Sequence, residues 1–225
     1  MKRKNPVTYL KAYEGHILKH LKSILESKDF NYRTFGSAIE EHLSDALVNV
    51  LTKGAFIKNA KDYFLAPNKN YFPDFELKSS PALAIEFKVG NKSQFRKGKW
   101  VNVKNSENDL GTLNTWPDKI KKFGGKNIYF IFVLYNFDDT SKKILSVKFL
   151  PFYQLIGINK GQVLKYREKD GNLRPKNFDS KPQVKTLDQF ESLLVKTIIY
   201  RSQRVIKKHT NIIKKALTLV QKDSN

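Results

Sequence analysis

The chain of 225 residues is 40% hydrophobic and holds 16 Phe and 10 Tyr, enough for one sizeable core, which excludes global disorder. Lys and Arg number 42 against 21 Asp and Glu, so the net charge is 42 − 21 = +21 and a polyanionic partner, nucleic acid first, is expected. Cysteine is absent, which excludes disulfides, thiolate zinc sites and thiol catalysis and suits a reducing cytoplasm.

Apolar spacing predicts a first helix over 8–27, with Leu10, Ile17, Leu18, Leu21, Ile24 and Leu25 as its stripe. A loop at 29–35 precedes a second helix over 37–51, stopped near Gly54. Strands are expected at 71–77 and 83–89, parted by the turn-like Lys78-Ser79-Ser80-Pro81. The polar, Asn-rich stretch 91–108 reads as a long loop. A short helix over 113–123 ends at Gly124-Gly125. The continuous apolar run 128–135 reads as a buried central strand with 144–149 as its neighbour, and 162–166 as one more strand. Residues 168–185 are polar again. A long helix runs over 186–219, with Thr186 and Gln189 spaced as a capping box. This order implies a mixed α/β fold with a central sheet, mostly antiparallel or mixed, flanked by helices. No signal-like apolar segment follows the basic residues 1–6, and the run 128–135 is too short to span a membrane, so no membrane partner is expected.

Strand alternation sorts the chemistry in 83–89. Leu83, Ile85, Phe87 and Val89 share the core face, while Ala84, Glu86 and Lys88 share the other. Taken alone, Glu86 and Lys88 are an ordinary i, i+2 ion pair. Asp74, on the preceding strand, is close enough in sequence to converge with Glu86 on one cation. Hard carboxylate oxygens suit magnesium, which takes one or two of them plus waters and substrate phosphate. Lys88 beside such a cation would position or deprotonate the attacking water, or stabilise the transition state. The histidines His16, His20, His42 and His209 lie on predicted helices and read as surface residues.

Pro73-Asp74 followed by Glu86-Phe87-Lys88 resembles the motif of the PD-(D/E)xK nucleases. Gly36-Ser37-Ala38-Ile39-Glu40 resembles the stretch from which that superfamily often adds a helical carboxylate; helix geometry turns Glu40, not Glu41, toward the sheet. The resemblance implies Asp74, Glu86, Lys88 and Glu40 as catalytic residues. Asp74, Glu86 and the Phe87 carbonyl are the implied donors to Mg2+, for which Mn2+ substitutes. Length and order of elements are most similar to a type II restriction endonuclease, in an EcoRV-like branch. That implies one endonuclease domain over 1–225, with a catalytic core at about 30–160 and a recognition and helical lobe at about 161–225. It also implies hydrolysis of a short palindromic double-stranded DNA site by a homodimer, with a cognate methyltransferase encoded nearby. Groove contacts are expected from Lys92, Gln94, Arg96, Lys104, Asn105, Asn108 and Asn114, and from Arg167 and Arg174. A junction resolvase of the same superfamily and a non-catalytic basic nucleic-acid-binding protein are the alternatives. The basic last helix would track phosphates or form a dimer surface.

Overall fold

The structure is a computed structural model that describes residues 5–26, 29–68, 71–106, 108–160 and 162–222, the side chains of 219–222 excepted. Among the described residues seven strands form in chain order: β1 (Tyr63–Leu65), β2 (Phe75–Leu77), β3 (Leu83–Asn91), β4 (Ser93–Arg96), β5 (Lys99–Asn102), β6 (Ile128–Phe137) and β7 (Lys142–Pro151). The helices are α1 (Pro6–Ala12), α2 (Glu14–Leu25), α3 (Phe35–Lys53), α4 (Trp116–Phe123) and α5 (Leu187–Lys222). The main sheet has the order β1-β2-β3-β6-β7; β3 and β6 pair in parallel and the other pairs are antiparallel. The fold is therefore mixed α/β with a mixed central sheet flanked by helices. A parallel pair needs a crossover, and the segment carrying α4 supplies it.

The apolar run in β6 follows from its position, covered on both faces. Ile131, Val133 and Tyr135 join one core with α1, α2 and α3, while Ile128, Phe130 and Phe132 join a second core under α4 and the first turns of α5. Trp116 centres that second core, stacked at 4.2 Å on Phe152, with its indole N–H donating to the Leu110 carbonyl. The outer edge of β7 is blunted by two carboxylates, because Glu26 accepts from the Ile144 N–H and Glu14 from the Phe149 N–H.

The first expected helix is two helices. Asn5 caps α1 by accepting from the N–H groups of Val7 and Thr8, and Tyr13, at φ −99° and ψ 7°, parts α1 from α2. The expected terminus at Ser27 lies outside the described residues. The strand expected from 71 starts only at Phe75. The expected loop 91–108 contains the β4–β5 hairpin, and β1 was not anticipated. Residues 162–166 form no strand: Leu164 and Tyr166 make only isolated bridges to Ile158 and Leu173. At the start of α5 the Gln189 N–H donates to Thr186 Oγ1, but Gln189 Oε1 accepts from Lys185 rather than from Thr186.

Candidate active site

Register brings the motif together. Phe75 pairs with Ile85 and Glu76 with Ala84, so one step further Asp74 faces Glu86 across the two strands, on the same face. β2 stops there, which leaves the second half of β3 without a strand on that side. The Asp74 side chain fills the gap, its Oδ2 accepting from the Phe87 N–H at 2.6 Å. The same register places Pro73, which has no N–H, opposite Phe87.

The face bearing Glu86 and Lys88 is largely enclosed. The second core covers it: Ala84 packs with Leu110, Leu113 and Trp116, and the Lys88 and Glu86 side chains keep only 17% and 15% of their surface exposed. Lys88 Nζ lies 2.9 Å from Glu86 Oε1. The other oxygen, Oε2, is shielded from solvent and has no hydrogen-bond partner. An orphaned carboxylate oxygen in a buried site is costly unless a donor or a cation meets it.

Glu40 enters from α3. A Cβ at Gly36 would lie 3.2 Å from the Tyr135 hydroxyl and 3.4 Å from Val89 Cγ2, so glycine lets the start of α3 press on β6 and β3. Glu40 is then half-buried and electrostatically coupled to Lys88 and Glu86, whereas Glu41 is exposed. Lys119 enters from α4 and was not anticipated. It shares the helix face of Trp116, Ile120 and Phe123, a lone cation in an apolar i, i+3, i+4, i+7 stripe. Its Nζ lies 3.9 Å from the Phe72 ring centroid and 5.0 Å from that of Trp116.

Three acids and two lysines thus share one enclosure, for a formal charge of −3 + 2 = −1. Burial, then the Glu86 carboxylate, pushes Asp74 up to about 7, against the Phe87 N–H and Lys88, which favour its ionised form. Burial also raises Glu40, opposed by Lys88. Burial pulls Lys88 down, but Glu86, Asp74 and Glu40 together outweigh it, and the ammonium is held above the ordinary lysine value. Lys119 goes the other way: burial lowers it further than Glu86 and Asp74 raise it, and Lys88 adds to the fall. Lys119 is the lysine with the weakened ammonium.

Among the described residues no three His, Asp or Glu side chains gather into a ready cage. Asp74 and Glu86 are a cross-strand pair, and Glu40 acts on them and on Lys88 through space. Such a pair fits magnesium, which keeps most of its waters; the orphaned Glu86 Oε2 and the raised Asp74 are the features a cation would relieve.

The expected groove contacts divide. Gln94 and Arg96 lie on the β4–β5 hairpin, hydrogen-bonded to each other. Lys104 and Asn114 are exposed and Asn105 is half-buried. Lys92 reaches Asp179 at 3.5 Å. The remaining three are tied up within the fold: Asn108 donates to the Val89 carbonyl, and Asp109 pairs with both Arg167 at 3.2 Å and Arg174 at 2.9 Å. Arg174 keeps only 14% of its side chain exposed, so its pairing with Asp109 is part of the protein's packing. Of the histidines, His16 and His209 are exposed as expected, His20 and His42 are half-buried, and His20 Nε2 is shielded and unpartnered.

No protein-family model matches the chain, and no curated protein matches it in sequence.

Proposed function

We propose that the protein is a magnesium-dependent DNA endonuclease of the type II restriction kind, cutting a short palindromic duplex site. The observation that carries this reading is the cross-strand pair Asp74–Glu86 with Lys88 beside it, a buried acid pair with an orphaned oxygen. The charge of +21 supplies the attraction to phosphates. The cytoplasm, a homodimer and a methyltransferase encoded nearby belong to the same proposal.

Asp74 and Glu86 would hold the cation through their carboxylate oxygens, with the Phe87 carbonyl as a further donor. When bound, magnesium, or manganese in its place, supplies Lewis-acid stabilisation of phosphoryl charge and a more acidic water. Lys88, held protonated by its carboxylate neighbours, stabilises the negative charge that grows on the scissile phosphate. Glu86 and Asp74, with a smaller contribution from Glu40, keep Lys88 charged. Lys119 is the better proton acceptor of the two lysines, since its ammonium is already weakened.

Lys119→Met keeps the stem that packs on Phe72 and Trp116 and removes the amine. Single-turnover cleavage by this variant is expected to slow ~100-fold with an altered pH–rate profile and a melting temperature no lower than the wild type's, since burial already disfavours the ammonium. An unchanged rate would remove Lys119 from the mechanism.

A panel of DNA duplex, four-way junction and RNA, each incubated with magnesium, tests the activity itself. Discrete duplex fragments are the expected result. Cutting confined to junctions would replace the restriction reading with that of a resolvase. Binding without cutting of any substrate would leave a non-catalytic nucleic-acid-binding protein.

A further inference from the structure

The distal half of α5 leaves the body of the protein. Phe190, Leu194 and Thr197 are buried, and Thr197 Oγ1 accepts from the Leu164 N–H, but from Ser202 to Thr218 every side chain is exposed. That is 17 residues, ~26 Å of helix at 1.5 Å per residue. It carries an unusual load of bare apolar surface: Ile206 is 65% exposed, Ile212, Ile213 and Leu217 are each more than half exposed, and so is Ile199 just before it. A solitary helix of this length is marginal in water, and surface of this kind marks an interaction site.

The spacing of these residues identifies what covers them. Apolar doublets recur every seven positions, at Ile198-Ile199, Val205-Ile206 and Ile212-Ile213, and the sequence repeats them once more at Leu219-Val220. A straight α-helix drifts ~20° per heptad against a strict seven-residue repeat, so the stripe holds one face only toward a partner that supercoils with it. A flat bilayer surface cannot follow that drift. A bilayer also offers nothing to Ser202 and His209, which lie along the middle of the stripe, whereas polar groups in a helix–helix seam fix its register.

Charge selects the partner. Arg201, Arg204, Lys207, Lys208, Lys214 and Lys215 all lie at least ~90° around the helix from the middle of the stripe, at 100° per residue. The seam itself is uncharged. An acidic partner helix would find nothing there to pair with, and a second copy of α5 brings no cation against another cation. We infer that two copies of this chain dimerise through the distal half of α5, seam to seam, as a two-fold helix pair with the cations on its outer flanks. The inference stands on α5 alone and does not depend on the chemistry assigned to Asp74 and Glu86.

Sedimentation equilibrium of the full chain at micromolar concentration tests it. The wild type is expected to be a dimer, and Ile206→Glu with Ile213→Glu to raise the dissociation constant by ~100-fold or more. Both side chains are exposed in the single chain, so the body stays folded, which circular dichroism checks. Lys207→Glu with Lys214→Glu makes a larger charge change on the outer flank and is expected to leave the dimer intact. Asp74→Asn should dimerise like the wild type, which separates this interface from the activity. A wild-type monomer across the micromolar range would overturn the inference. So would Ile→Glu variants as dimeric as the parent, or a monomer that pellets with anionic phospholipid vesicles.

Discussion

Asp74→Asn is expected to abolish DNA cleavage and, at the same time, to make the metal-free protein more stable at pH 8. The loss of activity follows from removing one of the two carboxylates that would hold the cation; a fall of ~1,000-fold or more is expected, in line with the electrostatic share of catalysis. The gain in stability follows from the same burial. Asp74 titrates near 7 in the folded chain against 3.8 when unfolded, raised first by burial and then by Glu86. A carboxyl raised in this way binds its proton more tightly folded than unfolded, so folding is favoured at low pH. That advantage fades as pH climbs from about 4 to about 7, and above 7 the charged group is a penalty on the order of a few kcal/mol. Glu40 and Glu86 repel the carboxylate from α3 and β3, while Lys88 and Lys119 offset part of the penalty. Asparagine keeps an oxygen to accept from the Phe87 N–H and has no charge to desolvate. Melting curves without metal should therefore lie closest together at pH 4 and separate steadily up to pH 8, by about 2–4 °C for each kcal/mol in a chain of this size. Saturating magnesium should raise the melting temperature of the wild type alone, more at pH 8 than at pH 6, because binding displaces the proton. Equal stability of the two proteins at pH 8, or equal stabilisation by magnesium, would contradict the assignment of Asp74.

Lys88→Met should also stop cleavage, by ~1,000-fold or more, yet it should make the protein less stable. Here the sign is opposite because the folded chain raises the pKa of Lys88 rather than lowering it. Stability from the ammonium is fully present throughout the neutral range and is lost only as pH rises through its elevated value. Removing it strands Glu86 Oε1 as well as Oε2 and takes the nearest counter-charge from Glu40 and Asp74. Breaking a buried pair of this kind costs about 3–5 kcal/mol. Duplex binding rests on the many surface cations and is expected to hold within about threefold in gel-shift titrations at fixed salt. A variant that still cuts, or one that loses duplex binding in step with cutting, would remove Lys88 from the chemistry.

Much of the site was legible because strand and helix periods are local rules. Alternation over 83–89 separated Phe87 from Glu86 and Lys88, and the helical period separated Glu40 from Glu41. The cover over Glu86 and Lys88 was not legible. It is built from residues far along the chain, such as Leu110, Trp116, Phe152 and Phe190, and nothing near Glu86 announces them. Lys119 escaped notice for the same reason, although its place in the apolar stripe of α4 was a readable signal. The β4–β5 hairpin had one too: Lys97 and Gly98, at φ 50° and 79°, form a two-residue turn between the cross-strand aromatics Phe95 and Trp100. Polar composition masked it. Arg174 looked free for DNA because Asp109, its partner, lies more than fifty positions away, whereas the partner of Arg167, Asp170, is only three residues on and was a readable signal.

The most direct test of the central claim is the magnesium-started digestion of long, unmethylated duplex DNA by the purified wild type, with Asp74→Asn and Glu86→Gln run beside it. The wild type is expected to give a fixed ladder of fragments that a chelator arrests, and the two variants to leave the DNA intact. Duplex left whole by the wild type with both magnesium and manganese, or variants that cut as fast as the parent, would contradict the claim that Asp74 and Glu86 form a nuclease centre.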